Sequence, residues 1–500
     1  MQEELGKIVI LGGGTAGWLA AAALSKALAP LNVKVVLVES EEIGAVGVGE
    51  ATIPPIVNFI KYLGIDEAEF MHEVSATYKL AIKFTDWYEK GESYWHPFGS
   101  VGLTLDGQSF HDNWLNAKKS GLSTAYTDYS PAVHLCNYNN FYDPNKAPED
   151  SFLAGASYAW QFDAIKVARY MRGYAEKKGV QRVEGIVESA IQAPSGDISA
   201  LKMLNGTEIH GDFFIDCSGT AGVLIDKVLG VPLVDWSDNL PCDRAVTCQT
   251  KSAENWAPYT TSVARDAGWT WEIPLQNRVG NGYVYSSVFC DDETAQNTLL
   301  QSISGEIITE PKFISFSTGR RENIWYKNCL SLGLSSGFVE PLESTAIHLV
   351  MKGVRTFVDL LPKKTASPVL ANEYNRLMNS LYDDVRDFVI LHYCTSNRTD
   401  SEFWRHCKNM VIPGRLKERI ELYREEGRLY HNPEDLFKPP SWHAVFDGMH
   451  VHPLSYNPFV NNVDVEEIKG VLGQVNGLMD KMAKGLPPHK KYVQELLKKR

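Results

Sequence analysis

A short glycine motif near the start of the chain constrains the fold more than any other feature. Gly12, Gly14 and Gly17 are spaced as Gly-x-Gly-x-x-Gly, between the apolar run 8–11 and the helix-forming run 18–24. In a strand–turn–helix of this kind the first glycine permits a tight turn, the second lets the backbone approach a pyrophosphate, and the third lets the helix pack on the strand. The motif therefore predicts a Rossmann-like α/β unit that binds a dinucleotide.

Two neighbouring features support this prediction. A second apolar run, 33–38, leads to Glu39, and an acidic residue at this place can accept hydrogen bonds from a ribose. Thr15 and Ala16 stand at the predicted helix start, where free backbone N–H groups and the helix dipole favour phosphate. The alternative, a glycine-rich turn followed by an acidic loop residue, leaves the strand–helix–strand order unexplained.

Two later segments favour FAD over NAD as the dinucleotide. The apolar run 213–215 ends in Asp216, and the run 329–332 ends in a turn at Gly333 and Leu334. A nicotinamide-dependent dehydrogenase normally continues a compact alternation of strands and helices, whereas here the alternation stops after the second strand. Three separated strand ends that converge on one long cofactor are typical of two-domain FAD enzymes, so all three are predicted to contact FAD.

The rest of the chain is expected to interleave a second sheet with this cofactor-binding scaffold, which makes the fold class α/β. The expected parts are the FAD-binding scaffold over 1–345, a substrate-side sheet over about 80–160 and 240–315, and a mainly helical part over 346–500 that completes the substrate pocket. Apolar patterns predict strands over 244–250, 268–275 and 282–288. Helical patterns are predicted over 163–177, 346–361, 372–389 and 416–426.

Composition excludes several classes of function. The net charge is −12 and no long Lys/Arg cluster is present, which argues against binding to nucleic acid or to an anionic membrane. The eight cysteines are scattered without a Cys-x-x-Cys spacing, so neither disulfides nor a metal site is expected, and a reducing cytoplasm is the expected location. The uncharged run 8–25 contains three consecutive glycines and is interpreted as strand, turn and helix, not as a membrane span.

Five separated segments carry motifs that belong together. They are the glycine motif 12–18, the glycine-rich loop 47–54, the lysine segment 76–80, the paired-tryptophan segment 268–274 and the segment 337–345. In combination they closely resemble the flavin-dependent halogenases of the tryptophan halogenase family. The resemblance covers nearly the whole chain and includes 387–393 and 398–404.

The resemblance implies a two-domain FAD-binding fold of the aromatic-hydroxylase type and a halogenase activity. Reduced FAD from a separate flavin reductase, together with O2 and chloride or bromide, would yield hypohalous acid. In this family a lysine then presents electrophilic halogen to a small aromatic substrate, and the match places that lysine at Lys79. The resemblance leaves open whether this lysine acts as a hydrogen-bonding ammonium or as a haloamine. Without the family, Lys79 also fits the polar face of a half-buried strand.

The segment 337–345 implies an acid–base group and a halide site. Glu343 corresponds to the family's carboxylate, which orients the halogenating species and takes the ring proton. The adjacent Ser344 is also expected to belong to the catalytic group. Thr345 and Ala346 correspond to the halide site at a helix start, where free N–H groups bind anions. The family usually has glycine at the position of Ala346, so a preference for bromide over chloride is one hypothesis. Without the family, Glu343 is also explained as a carboxylate at a helix N-terminus.

Two further groups of residues are assigned by resemblance. Residues near the flavin are Gly49, Glu50 and Ala51. Residues that separate flavin from substrate and suppress direct monooxygenation are Trp269, Trp271, Ile273 and Pro274. From the sequence alone, alternating tryptophans in a strand also fit core packing, and Glu50 also fits a solvated loop residue.

The substrate pocket departs from the family pattern. His96, Pro97 and Phe98 resemble the segment whose His and Phe enclose the substrate ring, although a loop with core-facing aromatics is the alternative. The stretch that corresponds to the family's tryptophan-holding region has no tyrosine pair and contains Trp442 and Phe446. We therefore expect an indole- or phenol-like aromatic substrate other than free tryptophan: an indole without the amino-acid group, another small aromatic or a larger scaffold.

Two other functions compete with a halogenase. An FAD-dependent aromatic monooxygenase would explain the cofactor segments without halide, and a flavin-binding regulatory protein would need neither Lys79 nor Glu343. The joint presence of Lys79, the paired tryptophans and the segment 337–345 favours the halogenase. The oligomeric state stays open, with a homodimer as one alternative.

Overall fold

The chain forms two compact units in the computed structural model, which describes residues 5–43, 49–105, 107–363 and 367–498. Unit 1 comprises 1–76, 162–237 and 316–383, and unit 2 comprises 77–161, 238–315 and 384–500. Gly47 and Val48 of the predicted glycine-rich loop lie outside the described residues. Each unit is therefore assembled from separated stretches of chain.

The strands of the described residues are numbered in chain order. They are β1 Lys7–Leu11, β2 Lys34–Glu39, β3 Gly49–Ala51, β4 Thr77–Lys79, β5 Ala81–Thr85, β6 Ser93–Pro97, β7 Ala159–Asp163, β8 Gln181–Glu184, β9 Val187–Gln192, β10 Ile198–Met203, β11 Glu208–His210, β12 Phe213–Asp216, β13 Leu233–Asp235, β14 Arg244–Lys251, β15 Tyr259–Arg265, β16 Gly268–Pro274, β17 Arg278–Tyr285, β18 Lys312–Ser315, β19 Gly319–Arg321, β20 Trp325–Tyr326, β21 Cys329–Ser331 and β22 Gly337–Phe338.

The α-helices are numbered in the same way. They are α1 Thr15–Ala27, α2 Pro55–Leu63, α3 Glu67–Glu73, α4 Phe110–Lys119, α5 Pro131–Asn137, α6 Ala164–Lys177, α7 Asp292–Ser302, α8 Ala346–Asp359, α9 Pro368–Cys394, α10 Glu402–Asn409, α11 Gly414–Glu426, α12 Pro439–Gly448, α13 Val465–Lys484 and α14 His489–Lys498.

A six-stranded sheet forms the centre of unit 1, with strand order β20-β21-β12-β1-β2-β8. All neighbours from β21 to β8 pair in parallel, and only β20 is antiparallel to β21. Val9, Val36 and Phe214 belong to one buried cluster of the core, as expected for parallel strands that are covered on both faces. Helix α1 packs against the helices α6 and α8, and its run of alanines and leucines is buried.

A seven-stranded sheet forms the centre of unit 2, with strand order β18-β14-β17-β16-β15-β5-β6. Its neighbours are antiparallel except for β15 and β5, which pair in parallel. The short strand β4 precedes β5 and pairs antiparallel with β7, where Lys79 stands opposite Ala159. The helices α9 to α14 supply most of the chain after residue 384.

The structure confirms the predicted α/β fold class and shifts the ends of several elements. The strand predicted over 282–288 runs instead from Arg278 to Tyr285, because it pairs with β14 from Lys251 to Arg244 and the following Val288 is exposed. The helix predicted over 372–389 extends from Pro368 to Cys394, since proline is well tolerated in the first helical turn. The break between the units falls inside this helix, after Asp383, while α8 belongs to unit 1.

Asp163 caps the helix α6 and lies just before it, where the sequence pattern had placed it inside the helix. Its carboxylate accepts hydrogen bonds from the backbone N–H groups of Ile165 and Lys166, at 3.1 and 3.2 Å. Such a cap satisfies N–H groups that have no partner within the helix. Among the described residues, no helix is both long and apolar enough to cross a membrane.

Candidate active site

Three predicted cofactor segments meet at one edge of the six-stranded sheet of unit 1. The parallel register places Leu11 of β1 beside Asp216 of β12, and Asp216 beside Ser331 of β21. The turn after β21 also reaches the glycine motif, because a Cβ added at Gly333 would lie 2.8 Å from the Cβ of Ala16. In open α/β sheets, ligands bind outside the carboxyl ends of the strands. This edge of unit 1 therefore has the geometry of a dinucleotide site.

The three glycines of the motif have different surroundings. A Cβ at Gly12, where φ is +113°, would lie 2.2 Å from the Cys217 carbonyl oxygen. A Cβ at Gly17 would lie 1.9 Å from the Gly12 carbonyl oxygen. At Gly14 a Cβ would meet nothing within 4 Å. Gly12 and Gly17 are thus required by the fold itself, whereas Gly14 borders open space at the start of α1.

Glu39 lies against the glycine motif, as its place after the second strand predicts. Its Oε2 accepts a hydrogen bond from Trp18 Nε1 at 3.2 Å, and its Oε1 lies 2.5 Å from Arg182 Nε and 3.5 Å from Arg172 Nη1. A Cβ at Gly13 would overlap the Glu39 carboxylate. The side chain is therefore held in a fixed position beside the turn, where a ribose hydroxyl can reach it.

Asp216 is fully buried, and the structure shows that its carboxylate shapes the turn after β12. The Oδ2 atom accepts hydrogen bonds from the backbone N–H groups of Leu224 and Ile225, at 2.7 and 2.9 Å. The Oδ1 atom accepts from Ser218 N and Ser218 Oγ, at 2.9 and 2.6 Å. Asp216 thus supports the site through the protein backbone.

Glu50 is a half-buried carboxyl group with an unusual proton affinity. Burial, and to a smaller extent the nearby Asp163 carboxylate, raises the pKa of Glu50 to about 7. Desolvation and a like charge both disfavour the ionised form. Glu50 therefore changes its charge near neutral pH, unlike an ordinary surface glutamate.

The segment around Glu343 forms a buried turn at the start of α8. Glu343 is fully buried and ends a short 3-10 turn over Pro341–Glu343, and Ser344 follows with φ +57°. Thr345 is the N-cap of α8, and its Oγ1 is buried without a hydrogen-bond partner among the described residues. The adjacent Ala346 is exposed. A strained residue and an unsatisfied hydroxyl beside a helix N-terminus are features expected of a ligand site.

In unit 2, Lys79 is completely buried at the end of β4. Its Nζ lies 5.2 Å from the centroid of the Phe98 ring, which is within the range of a cation–π interaction. The sequence had allowed Lys79 on the polar face of a half-buried strand, and its complete burial rules out that alternative. A fully buried lysine beside a ring is a functional candidate, because lysine is rarely fully buried unless its side chain is paired.

A cluster of rings adjoins Lys79 in unit 2. The His96 ring lies 6.3 Å from the Phe98 ring and 5.4 Å from the Phe388 ring, measured between centroids. Phe388 stacks on Phe437 at 3.8 Å and contacts Trp442 edge-on at 5.1 Å. His96, Phe98 and Trp442 were predicted from the sequence. We call these five residues the ring cluster.

Phe388 and Phe437 were not predicted individually. Phe388 lies in the segment 387–393 that matches the family pattern, so that match was the available signal. Phe437 lies in an irregular stretch before α12, and its place in the cluster depends on tertiary contacts. The predicted residue Phe446 is not part of the ring cluster. Its ring stacks on Tyr423 at 4.2 Å, and its centroid lies 5.9 Å from that of Trp442.

Buried charges hold two members of the ring cluster. Asp384 Oδ2 accepts hydrogen bonds from the backbone N–H groups of Leu436 and Phe437, at 2.9 and 3.4 Å. Arg419 donates to Asp384 Oδ1 at 3.4 Å, and its guanidinium carbon lies 4.4 Å from the Trp442 ring centroid. The rings therefore have defined positions, fixed by an ion network outside the cluster.

The paired tryptophans lie on the seven-stranded sheet of unit 2. The rings of Trp269 and Trp271 are 6.0 Å apart, and a Cβ at Gly282 of the neighbouring strand would overlap the Trp271 ring. This contact is the core packing that the strand pattern allows. At the end of the same strand, the Pro274 carbonyl accepts a hydrogen bond from Thr77 Oγ1 at 2.6 Å. Thr77 precedes Lys79 by two residues in β4. Ile273, which lies between Trp271 and Pro274 in the sequence, is buried.

The sequence profile of the tryptophan halogenase family matches residues 7–465 of the chain. The chain belongs to the tryptophan halogenase family. Tryptophan 6-halogenase ThaL of Streptomyces albogriseolus is 35% identical over 97% of this chain and 98% of its own length. Tryptophan 7-halogenase RebH of Lentzea aerocolonigenes is likewise 35% identical over 97% and 98%.

Solved structures agree with this assignment. Xcc4156, a flavin-dependent halogenase from Xanthomonas campestris, is 40% identical, covers 99% of both chains and superimposes with a TM-score of 0.94. BrvH, a flavin-dependent halogenase from Brevundimonas sp. BAL3, is 37% identical, covers 98% of this chain and 99% of its own, and has the same TM-score. These matches confirm a flavin-dependent halogenase with a two-domain FAD-binding fold, and they favour it over an aromatic monooxygenase.

The residues of unit 1 fit the FAD that this halogenase family uses. The open space at Gly14, the helix N-terminus behind it and the fixed Glu39 carboxylate provide room, N–H donors and an acceptor. Gly333 brings a third turn to the same edge. We therefore propose that the glycine motif binds the phosphates of FAD.

The contrast between Gly14 and Gly17 makes the phosphate-binding assignment testable. In Gly14→Val the melting temperature should change little, because a Cβ meets no atom there, while the Kd for FAD should rise at least about tenfold. In Gly17→Ala the added methyl overlaps backbone, so unfolding should become easier by about 2 kcal/mol or more. Thermal unfolding and flavin titration measure both effects. An unchanged FAD affinity in a well-folded Gly14→Val variant would contradict the assignment.

The raised pKa of Glu50 predicts a pH-dependent stability. The folded protein holds the Glu50 proton more tightly than the unfolded chain, so its contribution to stability is lost as pH rises from about 4.5 to about 7. Glu50→Gln should therefore raise the unfolding free energy by about 3 kcal/mol at pH 8 and by no more than about 1 kcal/mol at pH 5. The exposed Glu310→Gln serves as the control and should show no such difference. An equal effect of Glu50→Gln at both pH values would refute the shift.

Proposed function

We propose that this halogenase acts on a small, electron-rich aromatic molecule, such as an indole or a phenol, and that Lys79 delivers the halogen. The observation that carries the proposal is the buried Lys79 side chain, whose Nζ lies beside the Phe98 ring at one end of the ring cluster. Aromatic faces and edges bind a flat aromatic guest by stacking and edge-to-face contacts. The reduced flavin is proposed to come from a separate flavin reductase.

The halogen transfer uses hypohalous acid, which reduced FAD supplies from O2 and halide. Lys79 Nζ donates a hydrogen bond to the hypohalous oxygen and so polarises the oxygen–halogen bond. The ring carbon attacks the halogen, a carbon–halogen bond forms, and the oxygen–halogen bond breaks. The departing oxygen already carries the proton of the hypohalous acid. It takes a second proton from the Lys79 ammonium and leaves as water. The sum is an aryl halide and water from an arene and hypohalous acid.

Glu343 is proposed to take the proton that the ring loses. A buried carboxylate stabilises the cationic ring intermediate and accepts its proton, and Lys79 regains its own proton from solvent water. Ser344 holds the turn in a left-handed conformation directly after Glu343. The unsatisfied Thr345 hydroxyl and the backbone N–H of Ala346 are proposed to bind the halide.

The remaining assigned residues are proposed to serve the same two ligands. Gly49, Glu50, Ala51 and Leu334 would contact FAD, and Pro97 would help to shape the substrate site beside His96. Trp269, Trp271, Ile273 and Pro274 would keep flavin and substrate apart. Their common support is the family pattern. In the structure Gly49, Glu50 and Ala51 form β3, and the two tryptophans with Ile273 and Pro274 lie on β16.

Free tryptophan is not proposed as the preferred substrate, although relatives named above act on it. The ring cluster presents aromatic surface to a substrate. The neighbouring charged groups, Asp384 and Arg419, already bond to each other. An amino-acid zwitterion that entered such a cluster would lose hydration without an equal return in hydrogen bonds. A neutral indole or phenol has no such cost.

A panel of substrates tests the proposed reaction. With reduced FAD, O2 and bromide or chloride, indoles and phenols should give monohalogenated products detected by mass spectrometry, and kcat/KM for indole should exceed that for tryptophan at least about tenfold. Omission of halide should abolish the product. Hydroxylated products, or tryptophan as the better substrate, would each contradict the proposal.

A matched pair of lysines tests the role of Lys79. Lys79→Ala should remove aryl halogenation by at least about a thousandfold while FAD binding and flavin oxidation continue, because only the transfer step is lost. Lys83 lies on the neighbouring strand with its Nζ 5.3 Å from the Trp95 ring, so Lys83→Ala removes a similar cation–π contact. Lys83→Ala should stay within about twofold of wild type. Normal product formation by Lys79→Ala would exclude the lysine role.

A further inference from the structure

His489, at the start of the last helix α14, makes two hydrogen bonds that fix its tautomer. Its Nε2 lies 3.0 Å from the backbone N of Tyr78, and its Nδ1 lies 3.0 Å from the carbonyl oxygen of Trp256. A backbone N–H can only donate and a carbonyl oxygen can only accept. The ring must therefore be neutral, with its proton on Nδ1, and it links two chain segments that are far apart in sequence.

The two segments that His489 links are the strand of Lys79 and the segment 256–258, and these two segments also bond to each other directly. Tyr78 directly precedes Lys79, and the backbone N–H of Leu80, directly after it, donates to the Pro258 carbonyl at 2.7 Å. Pro258 lies two residues after Trp256. A single imidazole thus connects the strand that carries the lysine with the segment 256–258 that anchors its other side.

The packing around Tyr78 separates this role from the ring cluster. Successive side chains of a strand point to opposite faces, so the Tyr78 ring points away from the face of Lys79. The Tyr78 ring stacks on Phe141 at 3.8 Å and contacts Tyr492 of α14 edge-on at 6.0 Å. Phe141 N in turn donates to the Pro487 carbonyl at 3.1 Å. The last helix is therefore docked behind the lysine strand by rings and by His489.

We propose that His489 is a positioning residue for Lys79: its imidazole holds the backbone on the amino side of the lysine so that Nζ reaches its place beside Phe98. The inference rests on the proposed function of Lys79. His489 is fully buried, and burial lowers its pKa to about 4, so the neutral ring persists at neutral pH. A protonated ring would present a second donor to the Tyr78 N–H, and the bond would be lost.

Three variants separate positioning from plain stability. His489→Leu removes both hydrogen bonds and keeps a side chain of similar volume. His489→Gln keeps an amide oxygen for Tyr78 N–H and an amide N–H for the Trp256 carbonyl. Tyr492→Leu loosens the packing of the same helix on Tyr78 without removing either bond of His489.

The measurement is the partition of hypohalous acid between aryl halide and a β-diketone scavenger, in single turnovers with preformed reduced FAD and indole. His489→Leu should lower the yield of haloindole per FADH2 about tenfold and raise scavenger halogenation correspondingly, with unchanged FAD affinity. His489→Gln should restore most of the yield. Tyr492→Leu, at a matched loss of melting temperature, should stay within about twofold of wild type. A wild-type yield in His489→Leu, or an equal loss in Tyr492→Leu, would overturn the proposal.

The variant Lys79→Ala separates a failure of the positioning role of His489 from a failure of the proposed role of Lys79. If His489 acts through Lys79, adding His489→Leu to Lys79→Ala leaves the scavenger signal per FADH2 unchanged. A further change in the double variant would overturn the positioning role while the role of Lys79 stands. Aryl halogenation that survives in Lys79→Ala would overturn the proposed function itself, and the positioning role with it.

Discussion

Parallel pairing of β12 between β1 and β21 is the interaction on which unit 1 depends. These strands come from distant parts of the chain, and their register brings Leu11, Asp216 and Ser331 into one row. Because parallel strands end at the same edge, the three following turns come together. The buried Asp216 then accepts hydrogen bonds from the turn that follows it. A dinucleotide site can form only after this non-local pairing is complete.

In unit 2 the structure holds a fully buried lysine, Lys79, in a short strand. A three-residue strand such as β4 has few ladder bonds of its own, so Lys79 relies on contacts from elsewhere. Thr77 bonds to the end of β16, Tyr78 to His489 of α14, and Leu80 to Pro258 before β15. All three anchors act on the backbone or on a neighbouring side chain. The Lys79 Nζ itself lies beside the Phe98 ring.

The sequence predicts those features whose physical cause is local. The glycine motif could be interpreted because a tight turn, a strand and a helix adjoin in the chain, and Glu39 then follows from the length of the unit. Burial of Lys79 beside Phe98 was not derivable from periodicity, which favoured a half-exposed strand. Phe437 and His489 have no local signal, because their roles come from contacts with residues far away in the chain. The end of β17 was predicted wrongly because Val288 was included in the strand, whereas pairing with β14 stops at Tyr285 and Val288 is exposed.

Charge and ring packing cooperate in the ring cluster. The Arg419 guanidinium covers one face of Trp442, and Asp384 holds both that guanidinium and the backbone of Phe437. An aromatic ring alone slides easily in an apolar site, because dispersion contacts depend little on orientation. Directional bonds to buried charges remove this freedom at Trp442 and Phe437. The charges can therefore define the shape of an apolar site without offering a charge to the substrate, which is the arrangement that a neutral aromatic substrate requires.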